Sequence, residues 1–226
     1  MKRIFTLSLF LSVSVIMTQK TTANPTTIAV LDFENHSLFD KDSYNPLSKG
    51  LSEIMITELS RVGSLQVVER RKLQTLLDEL KLSQSGLLQE ETLNVGKILG
   101  AEHLLFGAFM VTMHDQIRID LRIVDTETGL TVKADQVTGK TSKILSLMKK
   151  LGKKIIRNLN IKMTSQEEKT FDASDTVNFK AMLFYSQGLV FEDSGDTVRA
   201  IQSYERALEI GSKFPQATER LQGLSQ

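Results

Sequence analysis

The fold of this chain is decided by residues 51–86, which read LSEIMITELSRVGSLQVVERRKLQTLLDELKLSQSG. Apolar residues recur at three- and four-residue steps up to Val62, and Gly63 follows, so the pattern predicts an amphipathic helix over residues 46–62. The next run, LQVV at residues 65–68, predicts a short strand, and leucines at helical spacing predict a second helix over residues 71–82. Helices and strands in close alternation indicate an α/β fold.

The flanking sequence extends this pattern in both directions. Residues 27–33, TIAVLDF, form a short apolar run rich in branched residues, which is typical of a strand buried on both faces. Downstream, the periodicities predict a short helix, a meander of three strands and a long helix, at residues 92–99, 104–113, 117–123, 130–137 and 142–159. We therefore predict a mixed α/β (α+β) domain over residues 24–160, with helices packed on a mixed sheet.

Four segments of this domain carry a family resemblance: IAVLDFEN from Ile28, the stretch from Leu51 quoted above, GKILGAEHLLFGAF from Gly96 and LRIVDTETG from Leu121. In this order they resemble the CsgG family of curli production assembly/transport components and its periplasmic relatives. The resemblance implies a bacterial envelope with two membranes and a protein that works with partner proteins there. A homo-oligomer is compatible with it.

The first 23 residues follow the pattern of a cleavable secretory signal. Lys2 and Arg3 provide the positive start, and residues 4–17 are apolar apart from Ser and Thr. As a helix this stretch rises about 21 Å, against a hydrocarbon core of roughly 30 Å, so a cleaved signal is favoured over an uncleaved anchor. Small residues lead up to Ala23, and we predict cleavage between Ala23 and Asn24. The expected location is the periplasm, with or without contact with the outer membrane.

Composition excludes several classes of protein. Without its first 23 residues the chain has 25 basic and 27 acidic residues, a net charge of −2, which argues against nucleic-acid binding. The chain has no cysteine, which excludes disulfides, thiolate metal sites, cysteine nucleophiles and a lipid anchor on an N-terminal cysteine. That lipid anchor belongs to CsgG itself, so an outer-membrane secretion-channel subunit is only the alternative interpretation.

The C-terminal part has a different pattern. Residues 161–175 are rich in Lys, Glu, Ser and Thr and are predicted to be a linker. Residues 176–226 carry seven small and aromatic residues at spacings that resemble one 34-residue tetratricopeptide (TPR) repeat, followed by a capping helix. These signature positions are Phe184, Gly188, Phe191, Gly195, Ala200, Tyr204 and Ala207.

A single TPR-like helical hairpin cannot bury its hydrophobic face alone, because stable arrays need about three repeats or more. Something else must cover that face. The first domain, another copy of the chain or a partner protein could do so, and the sequence leaves all three open.

Candidate sites for chemistry are few. Residues 134–141, ADQVTGKT, fit a loose phosphate-loop pattern, but the loop lacks the glycines that wrap phosphates, so a nucleotide-binding enzyme using Lys140 and Thr141 is a remote alternative. Glu69 and Arg70 could form a charged pair, yet no His or Cys lies near them in sequence, and a strand end followed by a helix start explains them.

The histidines and the basic helix are explained by structural roles rather than by ligand binding. His36, His103 and His114 are far apart in sequence and lack the i, i+4 spacing of a metal site. Lysines accumulate along the helix at residues 142–159, where they could contact anionic lipid or acidic glycan, but the solvated side of a core helix is favoured. We predict no catalytic residue, no cofactor and no metal. The expected function is that of a periplasmic accessory or scaffold protein.

Overall fold

The structure, a computed structural model, describes residues 25–80, 82, 89–172, 177–211 and 213–224. The predicted signal and its cleavage site at Ala23 and Asn24 lie outside the described residues. The strands are β1 (Thr26–Val30), β2 (Glu34–Asn35), β3 (Leu65–Val67), β4 (His103–Val111), β5 (Gln116–Asp125) and β6 (Thr131–Lys140). The helices are α1 (Lys41–Tyr44), α2 (Leu47–Leu59), α3 (Arg70–Glu79), α4 (Gln89–Ile98), α5 (Ile144–Asn158), α6 (Ser165–Asp172), α7 (Phe179–Asp193), α8 (Thr197–Ile210) and α9 (Pro215–Leu224).

The six strands form one mixed sheet in the order β3-β1-β4-β5-β6, with the short β2 beside β4. Strand β1 is central and runs parallel to both β3 and β4, as expected of a strand buried on both faces. Strands β4, β5 and β6 form an antiparallel meander whose register places Phe106 opposite Arg122 and Arg122 opposite Ala134. The predicted mixed α/β fold is confirmed.

Helices cover the two faces of the sheet unequally. Helices α2 and α5 pack on one face through the inward residues of every long strand, among them Ile28, Phe109 and Ile119. Helices α3 and α4 pack on the other face, but only near β1 and the start of β4, where Ala29 and Leu104 are buried. Over β4, β5 and β6, no helix of the described residues covers the rest of that second face.

Part of the polar stretch predicted as a linker is helical. Its residues Ser165–Asp172 form helix α6, and Phe171 is buried next to α5. A Cβ atom on Gly152 of α5 would lie 3.1 Å from the Phe171 ring, so this glycine leaves room for the aromatic side chain. Phe171 is the one hydrophobic residue within α6, which is too weak a periodic signal to predict a helix and explains the difference.

The α/β part and the C-terminal helices share one hydrophobic core. A single cluster of buried side chains contains Ile54 of α2 and Ile144 of α5 together with Met182 of α7 and Tyr204 of α8. The core therefore continues across the boundary predicted between the two parts.

Candidate interaction sites

The seven predicted TPR positions all lie in the hairpin of α7 and α8. Gly188 lies so close to α8 that a Cβ atom there would be 2.4 Å from the Tyr204 ring. Ala200 and Ala207 are fully buried, and the Phe184 and Phe191 side chains pack at the border of the core. Gly195 lies in the turn between the helices with a φ of 75°. The positions thus have packing roles in a helical hairpin, and the assignment to the TPR family stays a prediction.

Two side-chain caps help to define this hairpin. The Asn178 side chain accepts a hydrogen bond from the backbone N–H of Lys180 at the start of α7. Asp196 does the same for the N–H of Arg199 at the start of α8. Caps of this kind satisfy N–H groups that have no partner within a helix, so the sequence itself marks where both helices begin.

Helix α2 covers the inner side of the hairpin. A Cβ atom on Gly50 of α2 would lie 1.9 Å from the Ser186 Oγ atom of α7 and 3.0 Å from Met182. The two helices therefore approach closely along small residues. The sequence left open whether the first domain, another copy of the chain or a partner protein buries the hydrophobic face of the hairpin. In the structure, the first domain of the same chain does so.

A buried set of charged side chains surrounds this helix contact. Arg70, at the start of α3, donates from Nε to Glu53 of α2 at 3.1 Å and from Nη1 to Asp193 of α7 at 2.5 Å. Lys49 of α2 contacts the same Asp193 carboxylate at 2.6 Å and Asp32 at 3.3 Å. Only 5% of the Arg70 surface is exposed, so its charge depends on these acids.

Helix α9 completes this set, which we call the clamp: Asp32, Lys49, Glu53, Arg70, Arg71, Glu192, Asp193, Tyr204 and Arg220. Arg220 of α9 contacts the second oxygen of Glu53 at 2.5 Å and Glu192 at 3.1 Å. Tyr204 donates a hydrogen bond to Glu192 at 2.7 Å. Four acids and four bases balance within the clamp. It joins the α/β part to all three C-terminal helices.

Within the clamp, the surroundings of Arg70, Asp193 and Arg220 shift the pKa of each group in the direction that keeps it charged. Burial alone would raise the pKa of Asp193, but hydrogen bonds and charges from Arg70 and Lys49 outweigh burial and lower it. Burial likewise opposes the charge of Arg220, and the carboxylates of Glu53 and Glu192 raise its pKa. The clamp therefore links the helices through charged side chains.

In the sequence Arg70 follows Glu69, and the two could form a charged pair. Helix α3 begins at Arg70, with Glu69 exposed at the position before it. The role of Arg70 in the clamp was missed, because its partner Asp193 lies 123 residues away. No local pattern could have indicated that contact.

The open part of the second sheet face forms a groove of about 610 Å³. Its floor is the Phe106 ring, over which the Arg122 guanidinium lies at 5.2 Å. Arg118 forms a bidentate pair with Asp120 beside it, with contacts of 2.7 to 3.0 Å. Both arginines therefore have partners within the chain.

Residues 134–140 of the loose phosphate-loop match are part of strand β6. Their register with β5 is continuous from Ala134 to Lys140. An extended strand in a sheet cannot wrap its N–H groups around a phosphate, so the geometry of a phosphate loop is not formed here.

Several lysines of α5 form ion pairs or hydrogen bonds with other residues of the chain. Lys154 pairs with Asp135 at 2.9 Å, Lys153 pairs with Asp172, and Lys149 donates to the carbonyl of Thr170 at 3.2 Å. Within the described residues, no group of three His, Asp or Glu side chains is placed to hold a metal ion. No helix in this part of the chain is long and apolar enough to span a membrane.

Comparison with known proteins identifies the class of the α/β part. Residues 11–112 match the family model of CsgG, the curli production assembly/transport component. The match covers less than half of the chain, and within the structure it extends from β1 to the end of β4. The chain therefore contains a CsgG-like region, as the first three quoted segments predicted. The fourth segment, from Leu121, lies beyond the match.

Individual proteins are similar to this chain at low identity. A protein of Rhizobium meliloti (strain 1021) named "Putative adenylate cyclase 3" is 25% identical over 189 residues, which are 81% of this chain and 30% of that protein. The chain thus spans less than a third of this relative.

Two solved structures illustrate the structural comparison. Lipoprotein GNA1162 from Neisseria meningitidis has a TM-score of 0.44 at 14% identity, covering 62% of this chain and 100% of the other. The LpoB C-terminal domain from Salmonella enterica has a TM-score of 0.41 at 12% identity, covering 54% and 87%.

Proposed function

We propose that the protein is an exported, non-catalytic accessory or scaffold protein of the bacterial envelope. Its α/β part docks on an envelope assembly or secretion machine, and its C-terminal hairpin binds a protein partner. The CsgG-like region supports the place in the envelope. We propose no cyclase activity, because the chain spans less than a third of the relative that carries that name.

The observation that carries the proposal is the clamp. Because Arg70 and Arg220 tie α7 and α9 to α2, the hairpin is held at a defined position on the α/β part. Its outer side, between α7 and α8, forms a shallow groove of about 370 Å³ over Phe184. Glu205 and Glu209 are exposed at its rim. A rigidly held groove with an aromatic floor suits a partner protein, since little order has to be gained on binding.

The test uses surface variants, because removal of the hairpin would expose the core side of α2. We expect Glu205→Lys with Glu209→Lys to abolish recovery of the partner by crosslinking and pull-down from intact cells. The matched control is Glu90→Lys with Glu127→Lys, two exposed acids on α4 and at the β5–β6 turn. Equal recovery with both double variants and the unaltered protein would show that the hairpin groove binds no partner.

The two alternatives make different predictions. A secretion-channel subunit predicts heat-resistant rings in the outer-membrane fraction, whereas the accessory protein is expected in the soluble periplasmic fraction. A nucleotide-dependent enzyme predicts ATP binding that Lys140→Ala abolishes. We expect the melting temperature to stay unchanged when ATP and Mg²⁺ are added to either protein, because β6 is extended over residues 134–140.

A further inference from the structure

Strand β6, ten residues long, is an edge strand of the sheet. It pairs with β5 on its inner side, and no strand of the described residues pairs with its outer side. Alternate residues of an antiparallel strand direct their N–H and C=O groups to opposite sides. The N–H of Thr141 donates inward to Asp115, whereas the carbonyl of Gln136 accepts from Lys154 on the outer side. The backbone groups of Ala134, Gln136 and Thr138 therefore face outward. The Gln136 carbonyl is held by Lys154, and the other outward groups of these three residues form a template for a further strand.

One side of this edge is bordered by the basic side of α5. Leu147 contacts the strand at Gly139, where a Cβ atom would be 3.0 Å away, and Lys154 reaches Asp135. Helical spacing places further cations on the same side of α5, one or two turns from these contacts. They are Lys150 and Arg157 on α5 and Lys143 at the residue before it, and all three are exposed. Helix α5 contains no acidic residue.

The strand itself adds to this charge. Lys133 and Lys140 of β6 are exposed, and the strand has a single acid, Asp135. The Asp135 carboxylate is already engaged by Lys154 at 2.9 Å and by Asn158 at 2.5 Å. The pKa of Asp135 is lowered because these hydrogen bonds outweigh its partial burial. Asp135 is thus an example, within the chain, of a strand carboxylate that is bound by side chains of α5.

These charges discriminate between possible occupants. If a second copy paired edge to edge through its own β6, the lysines of both strands and both α5 helices would face one another, which is unfavourable. An incoming strand with acids on the α5 side would instead place each acid near Lys150, Arg157 or Lys143. The edge therefore favours an acidic partner strand over a copy of the chain.

We propose that the outer edge of β6 binds an extended acidic segment of a partner protein, which adds a strand to the sheet with alternate acidic side chains facing α5. The proposal rests on the proposed docking of the α/β part and names its surface and the chemistry of its partner. Backbone pairing provides the attachment, and the α5 cations select the sequence.

The test measures binding of two ten-residue probe peptides to the protein comprising residues 24–226. One peptide alternates Glu with Val and Thr, and the other has Lys in place of Glu. In fluorescence polarisation, we expect the Glu peptide to bind at least about tenfold more tightly, with an affinity that falls as salt is added. Amide hydrogen exchange is expected to slow at Ala134, Gln136 and Thr138 when the Glu peptide is bound.

Charge variants complete the test. Lys150→Glu with Arg157→Glu is expected to weaken binding of the Glu peptide about tenfold or more. The control, Lys72→Glu with Lys97→Glu on α3 and α4, is expected to leave it unchanged. Equal binding of the two peptides, or slowed exchange only outside β6, would overturn the proposal.

Two further outcomes assign the edge to another occupant. Exchange at β6 that slows with protein concentration alone would identify a second copy. Binding to phosphatidylglycerol vesicles that the α5 double variant abolishes, without peptide binding, would identify a lipid surface. Neither outcome changes the result expected from the pull-down with the Glu205→Lys and Glu209→Lys double variant. Failure of this proposal is therefore distinct from failure of partner binding by the hairpin.

Discussion

Gly50 of α2 lies directly against Ser186 of α7, so that even a methyl group on Gly50 would be 1.9 Å from the Ser186 Oγ atom. This contact is where the hairpin meets the α/β part. Ser186 also donates a hydrogen bond to the carbonyl of Met182, which fixes its side chain within the contact. A change of one side chain here therefore tests whether the two parts fold as one unit.

We expect Gly50→Val to lower the free energy of unfolding by about 1–3 kcal/mol or more, because the added atoms overpack the contact. Urea unfolding followed by circular dichroism measures this change. Gly223→Ala on α9 is the control, since a Cβ atom there meets nothing within 4 Å. Ser186→Gly should restore part of the stability lost in Gly50→Ala, and strictly additive effects would contradict a direct contact.

Arg70→Ala is expected to destabilise the protein by about 3–5 kcal/mol, because it leaves Glu53 and Asp193 without their buried cation. Thermal or urea unfolding gives the measurement. Arg71→Ala is the matched control. The Arg71 side chain is 78% exposed and pairs with Glu192 at 3.2 Å, so its loss should cost less than about 1 kcal/mol. Similar losses for the two variants would show that the clamp is not a buried link.

The stability of the protein should depend on the charge of Asp193 in acid. Its pKa is lowered in the folded state, so the carboxylate stabilises the fold above the ordinary Asp pKa of about 3.9. That contribution is lost as pH falls through the lowered pKa. We expect Asp193→Asn to be less stable at pH 7 and to lose less stability between pH 5 and pH 2. Asp172→Asn, an exposed acid, is the control in urea unfolding at each pH. A parallel decline for Asp193→Asn and the unaltered protein would contradict this role.

Mass spectrometry of the protein recovered from the periplasm should give an N-terminus at Asn24. Ala23→Leu should leave the precursor uncut and associated with the membrane, because cleavage needs a small residue at this position. Asn24→Ser serves as the control and should be processed normally. A full-length N-terminus in the unaltered protein would indicate the uncleaved anchor instead.

Much of the fold could be predicted because its signals are local. The apolar spacing of α2 and α5 and the alternation of Ile117, Ile119 and Leu121 in β5 are visible within a few residues. The same holds for the hairpin, where Gly188 and Tyr204 lie 16 residues apart and suit the contact of two helices. Helix α6 was missed because only Phe171 marks its buried side.

The candidate sites could be predicted far less well. The cover of the hairpin by α2 depends on residues 136 positions apart, Gly50 and Ser186. The clamp combines Glu53 with Arg220 over 167 positions. The edge at β6 required knowledge of which strand lies outermost, and strand order is not encoded in the pattern of any single strand.

Sequence alone was therefore sufficient for the order and type of the main elements, the exclusion of cysteine chemistry and the CsgG resemblance. Each of these depends on composition or on spacings within one element. Tertiary structure decided that α2 covers the hairpin and that Arg70 and Arg220 tie the hairpin to the α/β part. It also decided that, among the described strands, β6 pairs on one side only. The physical reason is that a side chain's periodicity is set by its own helix or strand, whereas its partner is set by how distant segments of chain pack together.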